Sequence, residues 1–157
     1  MLIDLENYLT IETIYFYSNF VVLPFWIMLL FIPTFRITKI LVYSIILPLI
    51  LGSLYAYIIY QGFLLNNSFL EVFEIYLGIE SLYTVFSNDI FLTFFWIHFL
   101  SLNLFLGTWT ANDGVKYDIP KKLVFFPLLI IYFTGPVGLV LYWLIRIFYA
   151  KKIGLHD

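Results

Sequence analysis

His98 has the greatest chemical capacity in this sequence, because it is the one ionisable side chain midway along a long uncharged run and its imidazole titrates near neutral pH. An ionisable group so deep in an apolar segment has to be paired or used, which makes His98 the candidate catalytic acid or base. A neutral imidazole bonded to a nearby backbone or hydroxyl group, such as Ser101 one turn on, accounts for the residue equally well. A two-histidine haem is not expected, since the other histidine, His156, lies beyond Lys151 and Lys152 near the C-terminus. No cysteine is present, and no spaced carboxylate and histidine set suggests a metal site, so the sequence calls for no metal and no cofactor.

Asn103 follows His98 at a helical offset of about 140°, which turns the two side chains towards different neighbours. An amide at that depth either joins helices by hydrogen bonding or contacts a substrate. Gly135-Pro136-Val137-Gly138 combines a missing backbone donor with two residues that allow close approach, and so marks tight packing or a shaped pocket. Pro24 and Pro48 add breaks in two other apolar runs. Aromatic residues make up 22% of the chain and include Trp26, Trp96, Trp109 and Trp143. Such surfaces line sites for long apolar ligands and also form belts at membrane interfaces. Trp96, Asn103, Gly135 and Pro136 are therefore the candidate substrate-binding residues.

The elements that must position these residues follow from composition. Of 157 residues, 63% are hydrophobic and 11% charged, whereas a soluble domain is about half apolar and about a quarter charged. Too few polar residues remain to cover a core in water, so the lipid bilayer is the expected partner. Residues 13–35, 40–70, 90–112 and 123–145 carry no Asp, Glu, Lys or Arg. Roughly 20 apolar residues cross about 30 Å of hydrocarbon as a helix. The expectation is an all-α integral membrane protein, a four-transmembrane-helix bundle in one domain, with spans near 13–33, 40–60, 90–108 and 122–147.

Between the second and third spans, Ser68-Phe69-Leu70-Glu71 is a capping box, and Glu71, Glu74, Gly78 and Ser81 recur at helical spacing. This predicts an interfacial amphipathic helix near 69–86. Asn112-Asp113-Gly114 supplies a tight turn after the third span, and Asp118-Ile119-Pro120 a helix start before the fourth. Arg36 and Lys39 in one connection, and Lys116, Lys121 and Lys122 in the other, assign both to the cytoplasmic side. A fourth full span then carries Arg146, Lys151 and Lys152 to the opposite side, against the same rule. The acidic opening, with Asp4, Glu6 and Glu12, has neither the basic start of a signal peptide nor the Arg- and Ser-rich character of a transit peptide, which points to a bacterial inner membrane. A net charge of -2 without a basic cluster makes nucleic acid no partner.

Read in order, Leu23-Pro24-Phe25-Trp26, Pro33 with Thr38, Pro48-Leu49 with Tyr55-Ala56-Tyr57, Ser81-Leu82, Trp96-Ile97-His98, Asn103-Leu104-Phe105, Asp113-Gly114, Ile119-Pro120 and Gly135-Pro136-Val137-Gly138 form an ordered set. This set resembles the abscisic-acid-deficient-four-like membrane proteins, a family that includes plant neoxanthin synthase. The resemblance implies four membrane helices and a redox-neutral isomerisation of an epoxy-carotenoid to an allene, or related chemistry on another isoprenoid lipid. Such a reaction uses an acid to open the epoxide and a base to remove a polyene proton in a water-poor pocket, and His98 is a candidate for one of them. Where the family usually has Asp, this chain has Asn103, which hydrogen-bonds but does not carry a proton at neutral pH. The alternative is a non-enzymatic membrane protein that binds pigment, lipid, a second copy or a partner protein through its small and aromatic residues.

Overall fold

A computed structural model describes residues 10–44, 46–60, 62 and 73–154, and its regular elements among these are all helical. They are α1 (Ile11–Phe31), α2 (Arg36–Leu41), α3 (Ile46–Ile59), α4 (Ile79–Phe86), α5 (Asp89–Lys116), α6 (Lys121–Thr134) and α7 (Pro136–Ala150). Among the described residues, only α1 and α5, with 21 and 28 residues, are both long and apolar enough to cross a membrane. The expected four-span bundle therefore becomes, among the described residues, an all-helical chain with two helices of spanning length. The second uncharged run opens in the last two residues of α2 and continues in α3, and the fourth is folded back on itself.

The chain forms two compact units, residues 1–21 with 48–100 and residues 22–47 with 101–157. In the first unit Ile14, Ile58 and Ile97 form a buried cluster, joined by Leu54, Tyr55, Tyr57, Ile90 and Phe94. Tyr55 stacks on Phe94 at 4.3 Å between centroids, and Ile59 packs near Phe91, so α3 runs antiparallel to the first half of α5. Within the segment 69–86 expected as an interfacial helix, the described residues are interrupted. A 3₁₀ turn occupies 73–76, Gly78 takes φ +150°, and α4 starts only at Ile79. The capping box around Ser68 and Glu71 falls outside the described residues.

In the second unit two sequence expectations are corrected. Asn112-Asp113-Gly114 is not a turn: α5 continues through it to Lys116. Asp113 is buried there and bonded to Arg146, 33 positions away, so a distant partner outweighs the local turn preference. Nor do residues 122–147 form one continuous helix. At Gly135 the backbone takes φ 58°, ψ -90°, a conformation open to glycine, and Pro136 starts a new helix. A Cβ on Gly138 would lie 2.4 Å from the Ile131 backbone nitrogen and 2.6 Å from the Pro127 carbonyl oxygen, so α7 folds back against α6. The absence of a side chain at Gly138 permits that approach.

Contacts with α5 fix the direction of both arms of this hairpin. Asn103 meets Tyr132 and Gly135 at the tip, whereas Val124 lies at Gly114, and Tyr142 and Arg146 reach Asp113. Thus α6 runs against α5 and α7 runs with it. Leu29, Leu104, Leu128, Ile131 and Tyr142 fill the core of this unit at no more than 2% exposure each.

Candidate functional site

The first unit contains a groove of about 890 Å³ where the opening turns of α1 and α5 lie side by side. Its walls include Tyr15, Phe16, Tyr17, Leu92 and Trp96, with Glu12, Thr13, Asp89 and Thr93 as the polar part of the lining. Glu12 and Asp89 each sit in the first turn of their helix, where a carboxylate is favoured by the exposed amides of the helix start. The groove is therefore aromatic along the helices and acidic at their N-terminal ends.

Trp96 is held in place by a short chain of hydrogen bonds. Its indole Nε1 donates to Asn19 Oδ1 at 3.1 Å, and Asn19 Nδ2 donates to the Tyr15 carbonyl oxygen at 2.7 Å. The Tyr15 ring lies 5.9 Å from the Trp96 ring, and the Phe99 ring stacks on it at 5.3 Å. An amphipathic ring system fixed in this way offers a rigid apolar wall to a ligand.

His98 is exposed and does not line this groove; its ring lies 6.0 Å from that of Tyr55. The single buried histidine expected from the sequence is replaced by an outward-facing one on α5. Helical period explains this: Ile97 takes the fully buried position, and the next residue is turned by about 100°.

Asn103, Gly135 and Pro136 do come together, in the second unit. Asn103 is 4% exposed, and its Nδ2 donates to the Tyr132 carbonyl oxygen at 3.5 Å. In an uninterrupted helix that carbonyl would accept from residue 136, which is proline and has no N–H. The Asn103 amide thus supplies the donor that Pro136 removes. A Cβ on Gly135 would lie 2.4 Å from Asn103 Oδ1, so the glycine also makes room for the amide. This trio completes a helix break, and Trp96 belongs to the other unit.

Sequence reasoning missed the principal polar cluster of the second unit. Asp113 Oδ2 accepts from Arg146 Nε at 2.7 Å and from the Tyr142 hydroxyl at 2.6 Å, with the Arg146 side chain fully buried. Arg146 Nη1 donates to the Gly154 carbonyl oxygen at 2.9 Å, and its guanidinium lies 4.8 Å over the Tyr117 ring and 5.3 Å over the Trp143 ring. Trp109 stacks on Trp143 at 6.1 Å. A charge pair this well satisfied locks a structure in place. Its sequence signal was one charged residue on each side of the uncharged run 123–145, and each reads as an ordinary loop flank.

A family profile described as ABA DEFICIENT 4-like matches residues 13–142. The chain belongs to this family. The match runs from the first turn of α1 through α6 and into α7, and so includes most of the Trp96 groove and the whole hairpin tip. The chain is also 29% identical over 103 residues to the Arabidopsis thaliana protein ABA DEFICIENT 4, chloroplastic, an alignment covering 64% of this chain and 47% of that protein. This chain thus spans about half the length of the curated relative it matches. No solved structure matches it. The relative's chloroplast address overturns the expected bacterial inner membrane. That expectation rested on the lack of a leader pattern in the first residues, and the absence of such a pattern does not identify a membrane.

Proposed function

We propose that this chain is an integral membrane protein that holds a carotenoid or other isoprenoid in the Trp96 groove and acts on it as an isomerase or related enzyme. The carrying observation is that the family match, residues 13–142, takes in the groove's aromatic wall of Tyr15, Phe16, Tyr17 and Trp96 together with Asp89, and begins one residue after Glu12. Membrane residence is supported by two helices of spanning length and by the outward apolar stripe of Phe16, Phe20, Ile27 and Phe31 on α1, each at least 56% exposed. In water such a surface would drive association; in hydrocarbon it is the solvated face. The chloroplast named for the Arabidopsis relative makes a carotenoid-bearing membrane the natural setting.

An aromatic groove with acidic ends suits an elongated apolar molecule with a polar terminus. Glu12 and Asp89 are the groove's proton-exchanging groups, so acid or base assistance at the ligand's polar end falls to them. The test is co-expression with a pathway that makes epoxy-carotenoids, followed by chromatography of pigments from cells and from the purified protein. Turnover supports the enzyme, and its loss in Trp96→Ala ties turnover to the groove. Pigment profiles unchanged by the protein, with none co-purifying, would sink the proposal.

One observation favours non-enzymatic binding as a second reading. His98 lies outside the groove, Asp113 is committed to Arg146 and Tyr142, and both groove carboxylates are exposed, so none of these groups meets a ligand in a water-poor pocket. Pigment that co-purifies without conversion selects that reading.

A further inference from the structure

We propose that α6–α7 is a re-entrant hairpin, entering and leaving the bilayer through one leaflet and resting its cationic base on anionic lipid headgroups. This takes the membrane residence proposed above and is independent of any pigment chemistry.

Length gives the first argument. With 14 and 15 residues, α6 and α7 are each about 21–23 Å long, short of the roughly 30 Å of hydrocarbon that a spanning arm must cross. The tip packs beside Asn103, midway along α5, and the base packs beside Asp113 and Tyr117 near its end. The hairpin therefore runs along only the last half of a 28-residue helix.

The tip is chemically fit for hydrocarbon. No charged residue lies between Lys122 and Arg146, and Phe133 and Val137 are 65% and 62% exposed beside the turn. Non-helical backbone at membrane depth has to be buried in protein with its polar groups satisfied. Gly135 is buried, Asn103 serves the Tyr132 carbonyl, and the Thr134 hydroxyl donates to the Ile130 carbonyl at 2.9 Å.

The base is fit for headgroups. Lys116, Lys121, Lys122, Lys151 and Lys152 are exposed there, next to the stacked pair Trp109 and Trp143, the residue type that marks the interface. Arg146 ties the base together by holding Asp113 on α5 and the Gly154 carbonyl beyond α7. A single fourth span would send Arg146, Lys151 and Lys152 to the side opposite Lys121 and Lys122. The fold-back gathers them on one side and removes the conflict with the positive-inside rule.

The absence of cysteine makes the test direct. Single variants Lys122→Cys and Lys151→Cys in sealed vesicles of known orientation are exposed to a membrane-impermeant maleimide. Labelling of both from the same side is expected. Labelling from opposite sides, or of neither from either side, overturns the hairpin, while alkaline carbonate extraction reports separately on membrane residence. For the headgroups, the native chain in phosphatidylglycerol-containing nanodiscs should melt about 3 °C or more above the same chain in phosphatidylcholine alone. The variant combining Lys121→Gln, Lys122→Gln, Lys151→Gln and Lys152→Gln should lose that difference. Equal melting of the native chain in both lipids overturns the headgroup contact.

Discussion

The two compact units differ most in how they use charge. The unit of residues 1–21 and 48–100 contains no Lys or Arg, while the unit of residues 22–47 and 101–157 contains all eight. The first packs by aromatic and aliphatic contact around an open groove, with Trp96 fixed by the Asn19 amide. The second buries Asp113, Tyr142 and Arg146 as a closed hydrogen-bonded set and folds a hairpin onto it. Directional, charge-assisted bonds hold one arrangement of helices, whereas apolar stacking tolerates different occupants. The proposed binding accordingly falls to the first unit and rigidity to the second.

The strongest way to break that division is Arg146→Met. It leaves the Asp113 carboxylate buried without its cation, a loss of about 3–5 kcal/mol, and thermal unfolding in detergent should show it. Adding Asp113→Leu should restore most of the loss, and a single variant as stable as the native chain would refute the lock. Gly138→Val comes next, because its side chain would meet the Ile131 backbone, and overpacking of this kind costs about 1–3 kcal/mol. The same unfolding measurement reads it.

Trp96→Ala should invert the pattern, with a smaller fall in melting temperature than Arg146→Met but retention of co-purified pigment reduced about tenfold or more, equivalent to about 1.4 kcal/mol of binding. Asn103→Ala should destabilise by about 1 kcal/mol, since it removes the donor to the Tyr132 carbonyl. The smallest effect belongs to His98→Ala, which changes an exposed residue and should shift stability by no more than about 0.5 kcal/mol. A large loss of turnover in that variant would draw His98 into the site despite its position.

Parts of this division were legible in the residues alone. Long uncharged runs anticipated α1 and α5, and Gly135-Pro136 with Asn103 stood out as polar or helix-breaking residues inside apolar sequence. Their partnership was not legible, because it depends on which carbonyl loses its donor and which helix passes beside it. Asp113 was misread for the same reason. Asn-Asp-Gly favours a turn locally, and only Arg146 and Tyr142, arriving from α7, make a buried helical carboxylate the better state. The groove's carboxylates carried no signal beyond their place in acidic first turns.

The sequence by itself determined that this chain is helical and apolar, since charge spacing and uninterrupted hydrophobic runs are local properties that each segment carries with it. Only the tertiary structure decided that residues 122–147 reverse at Gly135 rather than continue, that His98 faces outward, and that Arg146 closes on Asp113. A Gly-Pro pair permits a kink, a break or a reversal with nearly equal local ease. The choice among them is made by contacts far apart in the chain, which local propensity does not contain.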